Sequence, residues 1–267
     1  MRDSNVATTP PTATLVQITD THLGRSPRPL RPGYPDSDAQ LEAVLADIEA
    51  RLPPAALLLV TGDLAEDPEA QAYRRLEARL AALGAPILAL AGNHDDPGLA
   101  RQTFVAAGHG FDGDIRLGNW LIVGLDSCWP GHTAGRLRPE ELDRLEECLA
   151  RHPECWVLVA VHHPVVPVGS LWLDAIGLRN GSDLLAVLER HPRVRACVFG
   201  HIHQPFDAMH GHIRLLGSPS TCVQFLPGSE DFALDPDDAG YRVLTLHPDG
   251  RLETDVRRVA GTGPLPA

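Results

Sequence analysis

Five short motifs in this 267-residue chain place oxygen and nitrogen donors directly after apolar, strand-like runs. Asp20-Thr21-His22 follows Leu15 to Ile18, and Gly62-Asp63 follows Ala56 to Thr61. Gly92-Asn93-His94-Asp95 follows Pro86 to Ala91, His162-His163-Pro164 follows Trp156 to Val161, and Gly200-His201-Ile202-His203 follows Val194 to Phe199. Each motif alone has a plain structural reading, since Asp-x-His and Gly-Asp commonly make turns and caps, and one of two adjacent histidines must point away. Taken together, in this order and all at strand ends, they call for a common purpose. Ligands of open α/β sheets bind beyond the carboxyl ends of the strands, so residues distant in the chain are expected to converge there.

Carboxylate, amide oxygen and imidazole form a donor set for manganese or iron first, with zinc, cobalt or magnesium as alternatives; thiolate is absent from every strand end. Two such ions about 3.5–4 Å apart need a shared carboxylate, and together they activate water and neutralise phosphoryl oxygens. Asp63 is the expected bridge.

The elements that must carry these donors alternate between strand and helix, which gives an α/β (α+β) expectation. Beyond the five strands above, the spacing predicts helices over Asp38 to Arg51, Pro68 to Leu83, Pro139 to Arg151 and Ser182 to Arg190. Further strands are expected at Trp120 to Asp126, Ile213 to Leu216, Tyr241 to Leu246 and Leu252 to Val256, with a weaker region before Trp120. Arg25 to Pro35 and Val165 to Asn180 read as loops long enough to cover a site. Residues 1–13 are expected to be a disordered N-terminal arm and residues 14–267 a single domain.

Composition narrows the partners. The net charge is -12, which argues against a nucleic-acid partner, because phosphate backbones are gripped by clustered cations. No apolar run approaches the roughly 20 residues of a membrane span, and the N-terminus lacks the apolar region of a secretory signal, so a cytoplasmic, non-membrane protein is expected. The five cysteines form no C-x-x-C pair and read as small core hydrophobes.

The order of motifs resembles the calcineurin-like metallophosphoesterases, whose fold is a four-layer β-sandwich flanked by helices. That resemblance implies one metal site built from Asp20, His22, Asp63 and His203, and a second from Asp63, Asn93, His162 and His201. It favours His162 over His163 as the ligand, through the His-x-Pro pattern with Pro164. His94 matches the family's non-ligand histidine beside the phosphate, a catalytic group that orients substrate or protonates the leaving oxygen; Asn93, His94 and His22 are the implied substrate contacts. Leu15 to Leu23, Trp172 to Asn180, Ser218 to Phe225 and the tail around Phe232 to Gly240 are similar to the branch that hydrolyses 3′,5′-cyclic AMP to 5′-AMP by attack of a metal-activated hydroxide. The likeness runs from about Thr14 to Val259. Purple acid phosphatases carry a tyrosine ligand three residues after this aspartate, where the present chain has Glu66, so a tyrosinate-bound iron is not expected.

The expected partner is thus a small cyclic nucleotide, with Trp172, Arg179 or Asn180 of the overhanging loop as candidate contacts to it; a homodimer is compatible with the resemblance. A broad phosphodiesterase acting on glycerophosphodiesters or 2′,3′-cyclic nucleotides keeps the chemistry and changes the substrate. A metal-poor scaffold would have lost ligands, and a nuclease would bring cationic surface; neither feature is present.

Overall fold

The computed structural model describes residues 11–29, 31 and 34–263. Two six-stranded sheets stack face to face. The first is built by β1 (Ala13–Ile18), β2 (Leu57–Thr61), β3 (Ile87–Leu90) and β4 (Gly110–Phe111), all parallel and connected through α1 (Ser37–Arg51), α2 (Ala70–Ala81) and α3 (Pro97–Ala106). The second contains β5 (Asp114–Leu117), β6 (Trp120–Gly124), β7 (Trp156–Val161) and β8 (Val194–Phe199), with α4 (Pro139–Arg151), α5 (Leu171–Asp174) and α6 (Gly181–Glu189) in the connections. It is completed by β9 (Phe206–His210) and β10 (Ile213–Gly217). The chain then forms a small hairpin, β11 (Gln224–Phe225) with β12 (Leu234–Asp235), and returns to the first sheet as β13 (Gly240–Leu246) and β14 (Leu252–Arg258). The strand orders are β14-β13-β1-β2-β3-β4 and β5-β6-β7-β8-β10-β9.

Central strands buried on both faces read as unbroken apolar runs, and β2 shows why. Leu57 and Leu59 enter the layer between the sheets with Leu90, Trp120, Ile122 and Val198, whereas Leu58 and Val60 face Leu41, Val44, Tyr73 and Leu76 of the helices. On the far side, Val157, Val159 and Val161 pack with Leu145, Leu149, Leu184 and Leu188. The result is the expected helix–sheet–sheet–helix sandwich.

The expectations for α4, β7 and β8 coincide with the observed limits. Seven elements were not expected: the short strands β4, β5, β11 and β12, and α3, α5 and β9. The region before Trp120 holds α3, which starts at an Asp96 side chain accepting the Leu99 N–H at 2.9 Å, with Pro97 in the first turn; cap and proline were the legible signals, but Gly98 and Thr103 weaken the helical pattern behind them. Strand β9 is a sheet-edge strand carrying Asp207 and His210, and α5 is a single turn inside the expected loop Val165 to Asn180. Strand β1 begins at Ala13, inside the segment expected as an arm; residues 1–10 of that arm lie outside the described residues.

Candidate metal centre

Strands β1, β2, β3, β7 and β8 all run parallel toward one edge of the sandwich, where the five motifs meet. Asp20 and His22 leave β1, Asp63 leaves β2, Asn93 and His94 follow β3, His162 follows β7, and His201 and His203 follow β8. The backbone there is unusual. Asp20, His22, Asp63, His201 and His203 have φ of 54°, 44°, 48°, 65° and 50°, and among the described residues Asp112 alone joins them as a non-glycine in that region. A left-handed conformation costs a non-glycine residue about 1–3 kcal/mol, and its concentration at this edge marks a geometry that the fold holds for use. Glycines make room for it: a Cβ on Gly200 would lie 2.7 Å from an Asp20 carboxylate oxygen, and one on Gly92 would strike Asp63.

The donor atoms face one another at close range. The His203 Nδ1 lies 2.7 Å from the Val223 carbonyl, and the His22 Nδ1 lies 3.0 Å from the Glu66 carboxylate. Both Nδ1 atoms therefore donate, which leaves lone pairs on the two Nε2 atoms; those atoms are only 3.2 Å apart. The Asp20 carboxylate is 3.3 Å from the His203 Nε2, and Asp63 Oδ2 is 3.7 Å from the His22 Nε2. The same Asp63 oxygen is 3.3 Å from the His162 Nε2, whose Nδ1 is committed to the Thr61 carbonyl at 2.7 Å. Asn93 Oδ1 completes the second group, 3.2 Å from the His162 Nε2 and 2.9 Å from the His201 Nδ1. Buried lone pairs held this close repel unless a cation or a proton lies among them. The fixing of the His22, His162 and His203 imidazoles by a carbonyl or carboxylate behind them is the arrangement that metal-binding histidines need.

Electrostatics follow from that crowding. Burial pushes the Asp20 and Asp63 carboxyls upward, but the surrounding imidazoles outweigh it and hold both below the usual carboxylate range, Asp63 well below. Burial pushes His162 down, yet the Asp63 carboxylate carries it up to about 9. His201 is driven well below the ordinary imidazole value by burial and by His163 and His162, and its Nε2 is buried without a hydrogen-bond partner.

His163 stands beside His162 and His201, with a ring nitrogen within 4.8 Å of theirs, but both its nitrogens are engaged elsewhere. Its Nδ1 pairs with the Ser127 hydroxyl at 2.8 Å and its Nε2 with the Thr133 carbonyl at 3.1 Å, so neither nitrogen is free. His94 lies at the cavity wall, its backbone N–H donating to Asp63 Oδ1 at 2.9 Å and its Nδ1 3.1 Å from Glu66. Glu66 thus serves His22 and His94 with one oxygen, a part that its position after Gly62-Asp63 did not disclose. Asp95, quoted above only as part of a motif, gathers the N–H groups of Gly92, Leu64 and Ala65 at 2.8–3.1 Å and ties the β2 and β3 loops together. Two of the three loop candidates are misplaced. Arg179 bonds back to the Ala175 carbonyl, and Asn180 caps both backbone groups of Leu137, so neither lines the cavity that Trp172 shares with the cluster.

Comparison with known proteins agrees with this picture. The calcineurin-like phosphoesterase family matches residues 13–205. The chain is 42% identical to the 3′,5′-cyclic adenosine monophosphate phosphodiesterase CpdA of Pseudomonas aeruginosa, covering 97% of this chain and 94% of that one. It is 39% identical to the protein of that name from Escherichia coli strain K12, over 93% and 90% of the two chains. A dimetal phosphatase from Danio rerio shares the fold at a TM-score of 0.64 and 16% identity, over 93% of this chain and 99% of that structure.

Proposed function

Because the chain belongs to the calcineurin-like phosphoesterase family, we propose that it hydrolyses 3′,5′-cyclic AMP to 5′-AMP at two divalent cations. Asp20, His22, Asp63 and His203 would hold one, and Asp63, Asn93, His162 and His201 the other. The observation that carries this reading is the ring of converging oxygen and nitrogen donors in which one oxygen, Asp63 Oδ2, approaches both groups. A metal-poor scaffold has no use for so costly an arrangement. The oxygen and nitrogen donor set favours manganese or iron. A cytoplasmic setting is supported by Cys128, Cys148, Cys155, Cys197 and Cys222 all being free, the state that reducing compartments maintain. No helix among the described residues is long and apolar enough to cross a membrane.

Bound there, the cations supply a water of lowered pKa and neutralise charge on the phosphoryl oxygens. The chain supplies the rest. Glu66 and the Asp63 carboxylate hold His94 by ring and backbone, aiming the ring into the cavity where an ester oxygen would depart. Glu66 and Asp63 raise the His94 ring to about 9 against the downward push of burial, so at neutral pH it carries a proton to give. Incubation with 3′,5′-cyclic AMP and manganese, followed by chromatography of the products, is expected to yield 5′-AMP. Recovery of 3′-AMP, or of unchanged substrate, contradicts the reading.

Two further outcomes are expected. His162→Ala should lower the metal content from two ions to one per chain and cut turnover by about 100-fold or more, whereas His163→Ala should keep both ions; metal analysis and turnover of the two purified variants check this, and the reverse ranking would exchange the two assignments. Metal binding should also release protons. With His162 near 9 in the metal-free protein, the ring is protonated at pH 7 and must lose that proton when its Nε2 takes a cation. Affinity therefore rises with pH up to about that value, and calorimetry in buffers of different ionisation heat should find close to one proton released from this ring. A binding enthalpy independent of buffer would count against it.

A further inference from the structure

The cavity beside the metal cluster, about 190 Å³, has two unlike walls. One carries the cluster with His94. The other carries Trp172, Leu173, Ile176, Val223, Phe225 and Phe232. Three of these form an edge-to-face triad, with ring centroids 5.0 Å apart for Trp172 and Phe225, 5.4 Å for Trp172 and Phe232, and 5.4 Å for Phe225 and Phe232. Two members of the triad are anchored. Phe225 stacks flat on His203 at 4.0 Å, and the Trp172 indole N–H donates to the Ser229 hydroxyl at 3.2 Å. Phe225 spends a face on His203 and the indole N–H is engaged, so the wall offers ring surface and not hydrogen bonds. Phe232 remains 52% exposed, an apolar ring left at the mouth of a polar site.

A second aromatic cleft adjoins the cluster on the other side, where Trp129 stacks on His132 at 3.6 Å. The two can be told apart by His94. The oxygen that departs from a cyclic phosphate belongs to the ribose, and the base lies on that same sugar. The base must therefore lie on the side that His94 faces, and His94 lines the cavity of the triad but not the Trp129 cleft.

We propose that Phe232, backed by Trp172 and Phe225, is the platform on which the nucleobase stacks, an inference that rests on the cyclic-nucleotide reading above. Recognition at this wall is then by ring face, and the site distinguishes a nucleotide from a sugar phosphate without a base.

The test compares inhibition by 5′-AMP and by ribose 5-phosphate in the metal-loaded enzyme. Stacking on an aromatic side chain should favour 5′-AMP by roughly 5- to 150-fold. Phe232→Ala should shrink that preference at least about fivefold, while ribose 5-phosphate binds as before and so reports an intact metal centre. Phe232→Trp should keep the preference, and so should Trp129→Ala. An unchanged preference in Phe232→Ala, or its loss in Trp129→Ala, overturns the platform. So does a changed sedimentation coefficient with an unchanged preference, which would assign the ring to a contact between copies. Failure of the unaltered chain to hydrolyse 3′,5′-cyclic AMP would instead remove the premise, and the platform with it.

Discussion

Asp63→Ala is expected to leave the protein with neither cation and with turnover at background. Every other proposed ligand belongs to one group, so its loss weakens one cation directly and the other only through the water and charge they share. Asp63 is different, because its Oδ2 approaches the His22 Nε2 at 3.7 Å and the His162 Nε2 at 3.3 Å, and its Oδ1 accepts the His94 N–H. Removing the carboxylate takes a ligand from both cations and leaves two positive ions facing each other without the negative charge between them. Asp63→Asn is the gentler variant: asparagine tolerates the left-handed backbone of this position and keeps the volume while dropping the charge. It too should lose at least one ion. Metal analysis with circular dichroism separates the outcomes. A folded variant that retains two ions and turns over substrate would remove Asp63 from the bridge.

The second large effect concerns His94. His94→Ala should slow turnover by about 10²–10⁴-fold, the range of a lost general acid, with both ions retained. The separation of metal content from rate is the point, because His94 stands close enough to His22 and Asp63 to be mistaken for a ligand. Its Nδ1 is engaged by Glu66 at 3.1 Å. A group that donates a proton is active below its pKa and fails above it, so an alkaline fall in kcat should belong to His94 and vanish in the variant. Loss of metal in His94→Ala would make it a ligand. An unchanged alkaline limb would assign the proton elsewhere.

The parts of this molecule that were legible in the sequence share a cause. Strands β7 and β8 are buried on both faces, so their apolar runs end where the core ends, and the polar residue that follows is a site residue. That is why Asp20, Asn93 and His201, 73 to 181 positions apart, could be brought together on paper from strand ends alone. What escaped was set by direction and by backbone. The left-handed φ at Asp20, His22, Asp63, His201 and His203 was not legible, because aspartate and histidine adopt it more often than most residues yet far more often occupy ordinary backbone. Arg179 and Asn180 were credited to the cavity because their loop reaches it, yet Asn180 is consumed in capping the Leu137 backbone. Phe232 was visible as part of a similar tail, but its role depends on the β11–β12 hairpin placing it beside Trp172, 60 residues earlier. Edge strand β9 was missed for the opposite reason: a half-exposed strand needs no apolar run.

Anomalous diffraction from crystals grown with manganese tests the central claim most directly. The account predicts two peaks about 3.5–4 Å apart, one among Asp20, His22 and His203, the other among Asn93, His162 and His201, with Asp63 between them. A single peak, or a pair of which only one touches Asp63, would contradict it.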